Sequence, residues 1–292
     1  MVRVLPSLFT LGNLLCGFAA IFFASRPVGT EVALGRNAVP VLVIAAAFVF
    51  IGMVLDALDG RIARLTRQTS ELGEQLDSMA DMVSFGVAPA FLVIQLVDIS
   101  TPFFGETHPK WNVYFERAVF AIAGLYAACT ALRLARFNIE LEQPGESDHL
   151  TFKGLPSPAA AGTVCSLVLL HQWLLGRQPE GTIGFLRDWP KQTAAWMVAV
   201  TLLAAVAMVS TMRYVHFANR FLRDRAPIHY IGAALFILVP LLIVPQVTLA
   251  IAFVGYALSA PVLLLARVAR LRGHAMHAQT SKLDGAAGRS SP

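Results

Sequence analysis

The sequence predicts an all-α integral membrane protein of about eight transmembrane helices, with both termini in the cytoplasm. Three observations lead there. Hydrophobic residues make up 56% of the 292 positions and charged ones only 14%, against roughly 45–50% and 25% in an ordinary soluble domain. The apolar residues gather in continuous stretches near 4–25, 37–58, 82–97, 118–135, 155–176, 192–212, 228–244 and 247–266, most of them close to the ~20 residues a helix needs to cross hydrocarbon. None alternates apolar and polar residues with the two-residue period of a membrane barrel.

Taken in order, the first two stretches are long enough to span unaided. The third and fourth are short, and each is lengthened by a polar helical segment before it, 73–81 and 112–117. With eight spans, the termini and the even-numbered connections share one side. Sixteen of the 23 Lys and Arg fall there, and the positive-inside rule makes that side cytoplasmic. The net charge of +5 therefore bears on orientation and on anionic lipid, and not on nucleic acid. Cys16, Cys129 and Cys165 lie inside apolar runs and read as small buried side chains. The connection from Arg213 to Pro227 mixes four Arg with aromatic residues and suits either an interfacial amphipathic turn or a solvated loop. Residues 1–272 form one polytopic catalytic domain; 273–292, rich in Gly, Ala and Ser, are expected to be a disordered cytoplasmic tail.

Chemistry is expected where the composition is least suited to a membrane. Asp56, Asp59, Asp77 and Asp81 sit at the cytoplasmic end of the second helix and the start of the third. An ionised carboxylate at the bilayer centre costs about 2.5–3.5 kcal/mol on insertion scales, so four together require a cation. The pairs are three and four residues apart, which puts each on one helix face. A short connection through Thr66, Gln68, Thr69 and Ser70 folds the helices back and brings all four to one level. Hard oxygen ligands without His or Cys select Mg²⁺, Mn²⁺ or Ca²⁺, and two such ions neutralise four acids. Gly60, Ala63 and Gly73 keep the adjoining surfaces low, and Arg64 suits phosphate oxygens. The set reads as a diphosphate site. Two other readings compete: an ion-pair cluster that merely locks two helices, and a cation pathway in an ion-coupled transporter. Arg64 alone cannot balance four acids, and beyond the cluster the spans offer only His171 and His229 as a route.

Written out, Asp56-x2-Asp59-Gly60-x2-Ala63-Arg64-x8-Gly73-x3-Asp77-x3-Asp81 resembles the complete signature of the CDP-alcohol phosphatidyltransferase family. The resemblance implies that the four Asp hold two divalent cations, Mg²⁺ or Mn²⁺, and that Asp81 is also the base. It implies a CDP-lipid pocket lined by Gly60, Ala63, Arg64, Gly73 and Ser70; Thr10 and Asn13, polar residues near the cytoplasmic end of the first helix, either border that pocket or bond between helices. A homodimer is implied as well.

The signature does not choose the alcohol. Four further segments, Leu5–Asn13, Ser84–Pro89, Leu132–Asn138 and Phe152–Pro158, resemble the branch of that family whose donor is CDP-diacylglycerol and whose acceptor is L-serine. That similarity covers about residues 4–162. Inositol phosphate and glycerol phosphate stay open as acceptors. Arg133 and Arg136, three apart on one face, suit a carboxylate, and equally a phosphate-bearing acceptor, anionic lipid or a positive-inside anchor. Ser84, Asn138 and Lys153 are further candidates for the acceptor, Ser84 being also suited to helix packing. The implied reaction makes a phospholipid at the cytoplasmic side of the cell membrane and releases CMP.

Overall fold

The computed structural model describes residues 4–27, 29–34, 37–66, 71–97, 109–142, 151–176, 189–215 and 238–264. These are mostly helical. The order is α1 (Val4–Ala24), a hairpin of β1 (Glu31–Leu34) and β2 (Asn37–Pro40), α2 (Val41–Thr66) and α3 (Glu71–Asp81). A π-turn (Met82–Val87) joins α3 to α4 (Ala88–Leu96), and α5 (Pro109–Glu142) follows. Then come β3 (Thr151–Lys153), α6 (Ser157–Leu175), α7 (Trp189–Val209) and β4 (Arg213–Val215). A short helix α8 (238–243) precedes the last described one, α9 (Pro245–Leu264).

Among the described residues, six helical segments are long and apolar enough to cross a membrane: Val41–Ile62, Leu72–Leu96, Pro109–Ile139, Ser157–Leu175, Gln192–Val209 and Pro245–Leu264. Leu8–Ala24 is a shorter apolar helix. Of the expected seventh span, only 238–244 is described, and the tail from 273 onward lies outside the described residues. The protein is a multi-pass membrane protein.

Two boundaries differ from expectation for identifiable reasons. The second helix starts at Val41 and not at 37, because Pro40 biases Val39 towards an extended backbone; residues 37–40 pair instead with β1, Val39 opposite Val32. Arg213–Val215 is a strand and not an amphipathic turn, because it pairs antiparallel with β3, Tyr214 opposite Phe152. The remainder of that connection lies outside the described residues. Gly154 makes the β3 corner possible. Its φ is +88°, its N–H donates to the Met212 carbonyl at 2.8 Å, and a Cβ there would overlap the Met208 carbonyl.

Helices approach closely where side chains are small. A Cβ on Gly17 of α1 would lie 2.8 Å from the Ser84 Cα, and one on Gly12 would lie 3.1 Å from Leu55 Cδ1. Around these crossings Ala20, Ala24, Ala45, Ala46 and Val49 are buried, and the core continues through Phe85, Leu92, Tyr126, Val164 and Met208. Between membrane helices, where lipid is as apolar as Leu, such packing is the main attraction. All three cysteines are buried and free, as expected. His171 is bonded to Thr193 at 2.7 Å; His229 lies outside the described residues.

The π-turn has a local cause. Pro89 has no N–H to give to the Phe85 carbonyl four residues earlier, and the Ala88 N–H reaches back five residues to Val83. The freed Phe85 carbonyl accepts the Tyr126 hydroxyl of α5 at 3.0 Å. Ser84, in the same turn, donates its hydroxyl to the Asn13 carbonyl at 2.8 Å.

Gly17→Ala is expected to destabilise the bundle by about 1–3 kcal/mol through overpacking, seen as a lower melting temperature in detergent. Gly124→Ala, where a Cβ meets nothing within 4 Å, should leave the melting temperature unchanged.

Candidate active site

The last turns of α2 carry Asp56 and Asp59, and α3 carries Asp77 and Asp81. The antiparallel return predicted from the spacing brings one carboxylate oxygen from each of Asp56, Asp59 and Asp77 within 4.8 Å of one another. Asp81 stands one turn deeper, nearly buried, within electrostatic range of Asp56, Asp77 and Asp59.

Two of the acids are held from α1. The Thr10 hydroxyl donates to Asp59 Oδ2 at 2.8 Å, and Asn13 Nδ2 donates to Asp81 Oδ1 at 3.1 Å. Thr10 and Asn13, expected to border a nucleotide, thus have their donors engaged by carboxylates. Among the described residues, Asp77 Oδ1 and Asn13 Oδ1 are buried side-chain oxygens with no hydrogen-bond partner.

That orphaned oxygen tests whether the residues suit a metal. A carboxylate oxygen shut away from water without a donor is costly, and three acids that can only accept share the same few ångströms. A hard divalent cation satisfies both conditions. The triad is therefore able to bind metal.

The surface next to the acids is low. A Cβ at Gly60 would meet nothing within 4 Å. Ala63 and Arg64 belong to the last turns of α2 and Gly73 to α3; Ser70 lies outside the described residues.

The expected acceptor residues divide. Arg133, half-buried on α5, donates to Ser157 Oγ at 2.6 Å and lies within electrostatic range of Asp81 and Tyr256. Arg136 is half-buried on the same helix, and Lys153 stands in β3 opposite Arg213. Ser84 is fully buried, with its hydroxyl donated to the Asn13 carbonyl of α1, as the helix-packing alternative has it. Asn138 exchanges hydrogen bonds with Ser78, giving at 3.0 Å and accepting at 3.2 Å, and so ties α5 to the residue after Asp77. In each case a polar side chain is bonded to a neighbouring helix, Ser84 to α1 and Asn138 to α3. Ser78 and Ser157 were not singled out in the sequence. The signal for Ser78 is adjacency to Asp77, and that for Ser157 is its place in the Phe152–Pro158 segment.

Fold and site together define a polytopic membrane protein with an acidic, cation-competent cluster at the ends of two spans. Residues 3–189 match the family model of the CDP-alcohol phosphatidyltransferases, and the chain belongs to that family; it is a phosphatidyltransferase. This sets aside the transporter reading. Relatives named CDP-diacylglycerol--serine O-phosphatidyltransferase include one from Helicobacter pylori strain J99, 34% identical over 215 residues, covering 73% of this chain and 72% of its own length. Another, from Mycobacterium leprae, is 31% identical over 246 residues, 83% of this chain and 70% of that protein. A third, from Bacillus subtilis, is 34% identical over 168 residues, 58% and 76% respectively.

Adding Mg²⁺ or Mn²⁺ at about 100 times its dissociation constant should stabilise the purified protein by about 2.7 kcal/mol. The gain is read as a rise in melting temperature reversed by chelator, and Asp77→Ala should abolish most of it.

Proposed function

We propose that the protein transfers the phosphatidyl group of CDP-diacylglycerol to the hydroxyl of L-serine, giving phosphatidylserine and CMP. The observation that carries this is the meeting of the Asp56, Asp59 and Asp77 carboxylates within 4.8 Å in a chain of this family. Serine as acceptor is supported by the names of the relatives and by Arg133, a half-buried guanidinium within electrostatic range of Asp81.

Asp56, Asp59, Asp77 and Asp81 would hold two divalent cations, Mg²⁺ or Mn²⁺, which when bound neutralise the diphosphate and the charge leaving with CMP. Gly60, Ala63, Gly73 and Ser70 leave room for the nucleotide, and Arg64 takes phosphate oxygens. Arg133, with Arg136 one turn on in α5 and Lys153 of β3, orients the serine carboxylate. Asp81 accepts the proton as the serine oxygen forms its bond to the β-phosphorus, and the bond from that phosphorus to the oxygen of the α-phosphate breaks. The electron pair and negative charge leave on CMP, and Asp81 later gives its proton to water.

The site faces the cytoplasm in this reading, supported by the excess of Lys and Arg on that side. CDP and serine arrive from water there, while the acyl chains of donor and product stay among membrane lipids. The protein works as a homodimer.

With CDP-diacylglycerol, labelled serine and Mn²⁺ or Mg²⁺, the purified protein should form phosphatidylserine and CMP in equal amounts. Formation of another phospholipid from inositol phosphate or glycerol phosphate, and none from serine, overturns the assignment of the acceptor. Asp81→Asn should lower CMP release by about 10²–10⁴-fold with the melting temperature kept. Arg133→Ala should raise the KM for serine by about tenfold or more, the loss of one charge-assisted contact, and leave the KM for CDP-diacylglycerol unchanged.

A further inference from the structure

The most constrained polar side chain near the acids is not itself an acid. Asn13 is fully buried. Its Nδ2 donates to Asp81 Oδ1 at 3.1 Å, its backbone carbonyl accepts the Ser84 hydroxyl at 2.8 Å, and its Oδ1 is left without a partner. A buried, half-satisfied carboxamide weakens a helix contact that Leu or Ala would fill without penalty. Its presence calls for a reason other than stability.

The neighbouring helix makes room for it. A Cβ on Gly52, one turn before Asp56, would stand 2.8 Å from Asn13 Oδ1, closer than any real Cβ contact. Gly52 therefore leaves a seat that only a bare backbone provides, and the seat fixes where the carboxamide points. Ser84 fixes the backbone of the same residue from the other side. With Oδ1 seated against Gly52, the carboxamide turns its Nδ2 towards Asp81 Oδ1.

We propose that Asn13 is a positioning residue for Asp81, and that Gly52 acts through it. By engaging Oδ1, Asn13 holds the Asp81 carboxylate in one rotamer and leaves Oδ2 for the acceptor hydroxyl. Thr10, one turn earlier, does the same for Asp59, whose Oδ2 it engages at 2.8 Å. α1 is thus the alignment rail of the reaction, although it contributes no acid. This rests on the role of Asp81 given above as the base.

The test is a double-mutant cycle on the full chain, Asn13→Ala, Gly52→Ala and both, read as kcat for CMP release from CDP-diacylglycerol. The acceptor is whichever of serine, inositol phosphate and glycerol phosphate the unmodified protein uses. A wrong acceptor then sinks the earlier assignment and leaves this comparison intact. Asn13→Ala should lower kcat by about 100-fold, the usual consequence of a misplacement of about 1 Å, with both KM values within roughly twofold. Gly52→Ala should lower kcat nearly as far by displacing the carboxamide. The double variant should be no slower than Asn13→Ala alone, because the methyl then has nothing to displace. Asn13→Leu keeps the helix contact apolar and filled, so its melting temperature should fall no further than that of Asn13→Ala while kcat falls as for Ala. Retained kcat in Asn13→Ala or Asn13→Leu, or losses that multiply in the double variant, overturns the proposal.

Discussion

Carboxylates brought together in a poorly screened setting are the constraint that the bundle is arranged to meet. Two unit charges some 4–5 Å apart repel by about 1 kcal/mol in water and by about 4 kcal/mol at an effective dielectric constant of 20. Asp56, Asp59 and Asp77 accept that repulsion three ways within 4.8 Å. A buried cluster of this kind weakens the fold unless something positive enters it. The protein concentrates negative charge in one place and leaves the balance to what binds there.

The rest of the architecture follows from keeping that cluster in register. α2 and α3 carry the acids, and neither alone can fix their spacing. α1 crosses both, close enough at Gly12 and Gly17 for short side chains such as Thr10 and Asn13 to reach carboxylates directly. α5 supports α3 from the far side through Asn138 and Ser78 and through Tyr126 on the π-turn. The later elements are tied to one another: Thr163 of α6 donates to the Phe253 carbonyl of α9 at 3.2 Å, and Tyr214 of β4 donates to the Ala257 carbonyl at 3.0 Å. α9 lies beyond the residues matched by the family model, yet its Tyr256 comes within electrostatic range of Arg133.

Much of this was legible in the sequence, and what was not has a physical pattern. Periodicity within one helix is local, so the pairing of Asp56 with Asp59 and of Asp77 with Asp81 could be read from spacing, and their convergence from the short connection between them. Apolar length gave the membrane helices for the same reason. Helix ends were less legible: Pro40 decides one by a backbone effect, and the pairing of 151–153 with 213–215 depends on residues sixty positions apart. Partners of single polar side chains were the least legible. Ser84, Asn138, Thr10 and Asn13 each sit near the chemistry in sequence, but a hydroxyl or amide bonds to the nearest available group. Which group that is depends on helix crossings set by Gly12, Gly17 and Gly52 together.

The widened turn after Asp81 has a consequence for the rod that contains it. A π-turn holds one residue more than the α-turn it replaces, and each α-helical residue advances the azimuth by about 100°. Everything from Ala88 onward is therefore rotated relative to the acidic half. Leu92, Val93 and Leu96, all buried, owe their inward orientation to that offset. One continuous rod thus carries two independent phases, the first set by where the carboxylates must meet and the second by where hydrocarbon side chains must interlock. Substitutions that tune either half need not disturb the other, provided the joint at 82–87 keeps its extra residue.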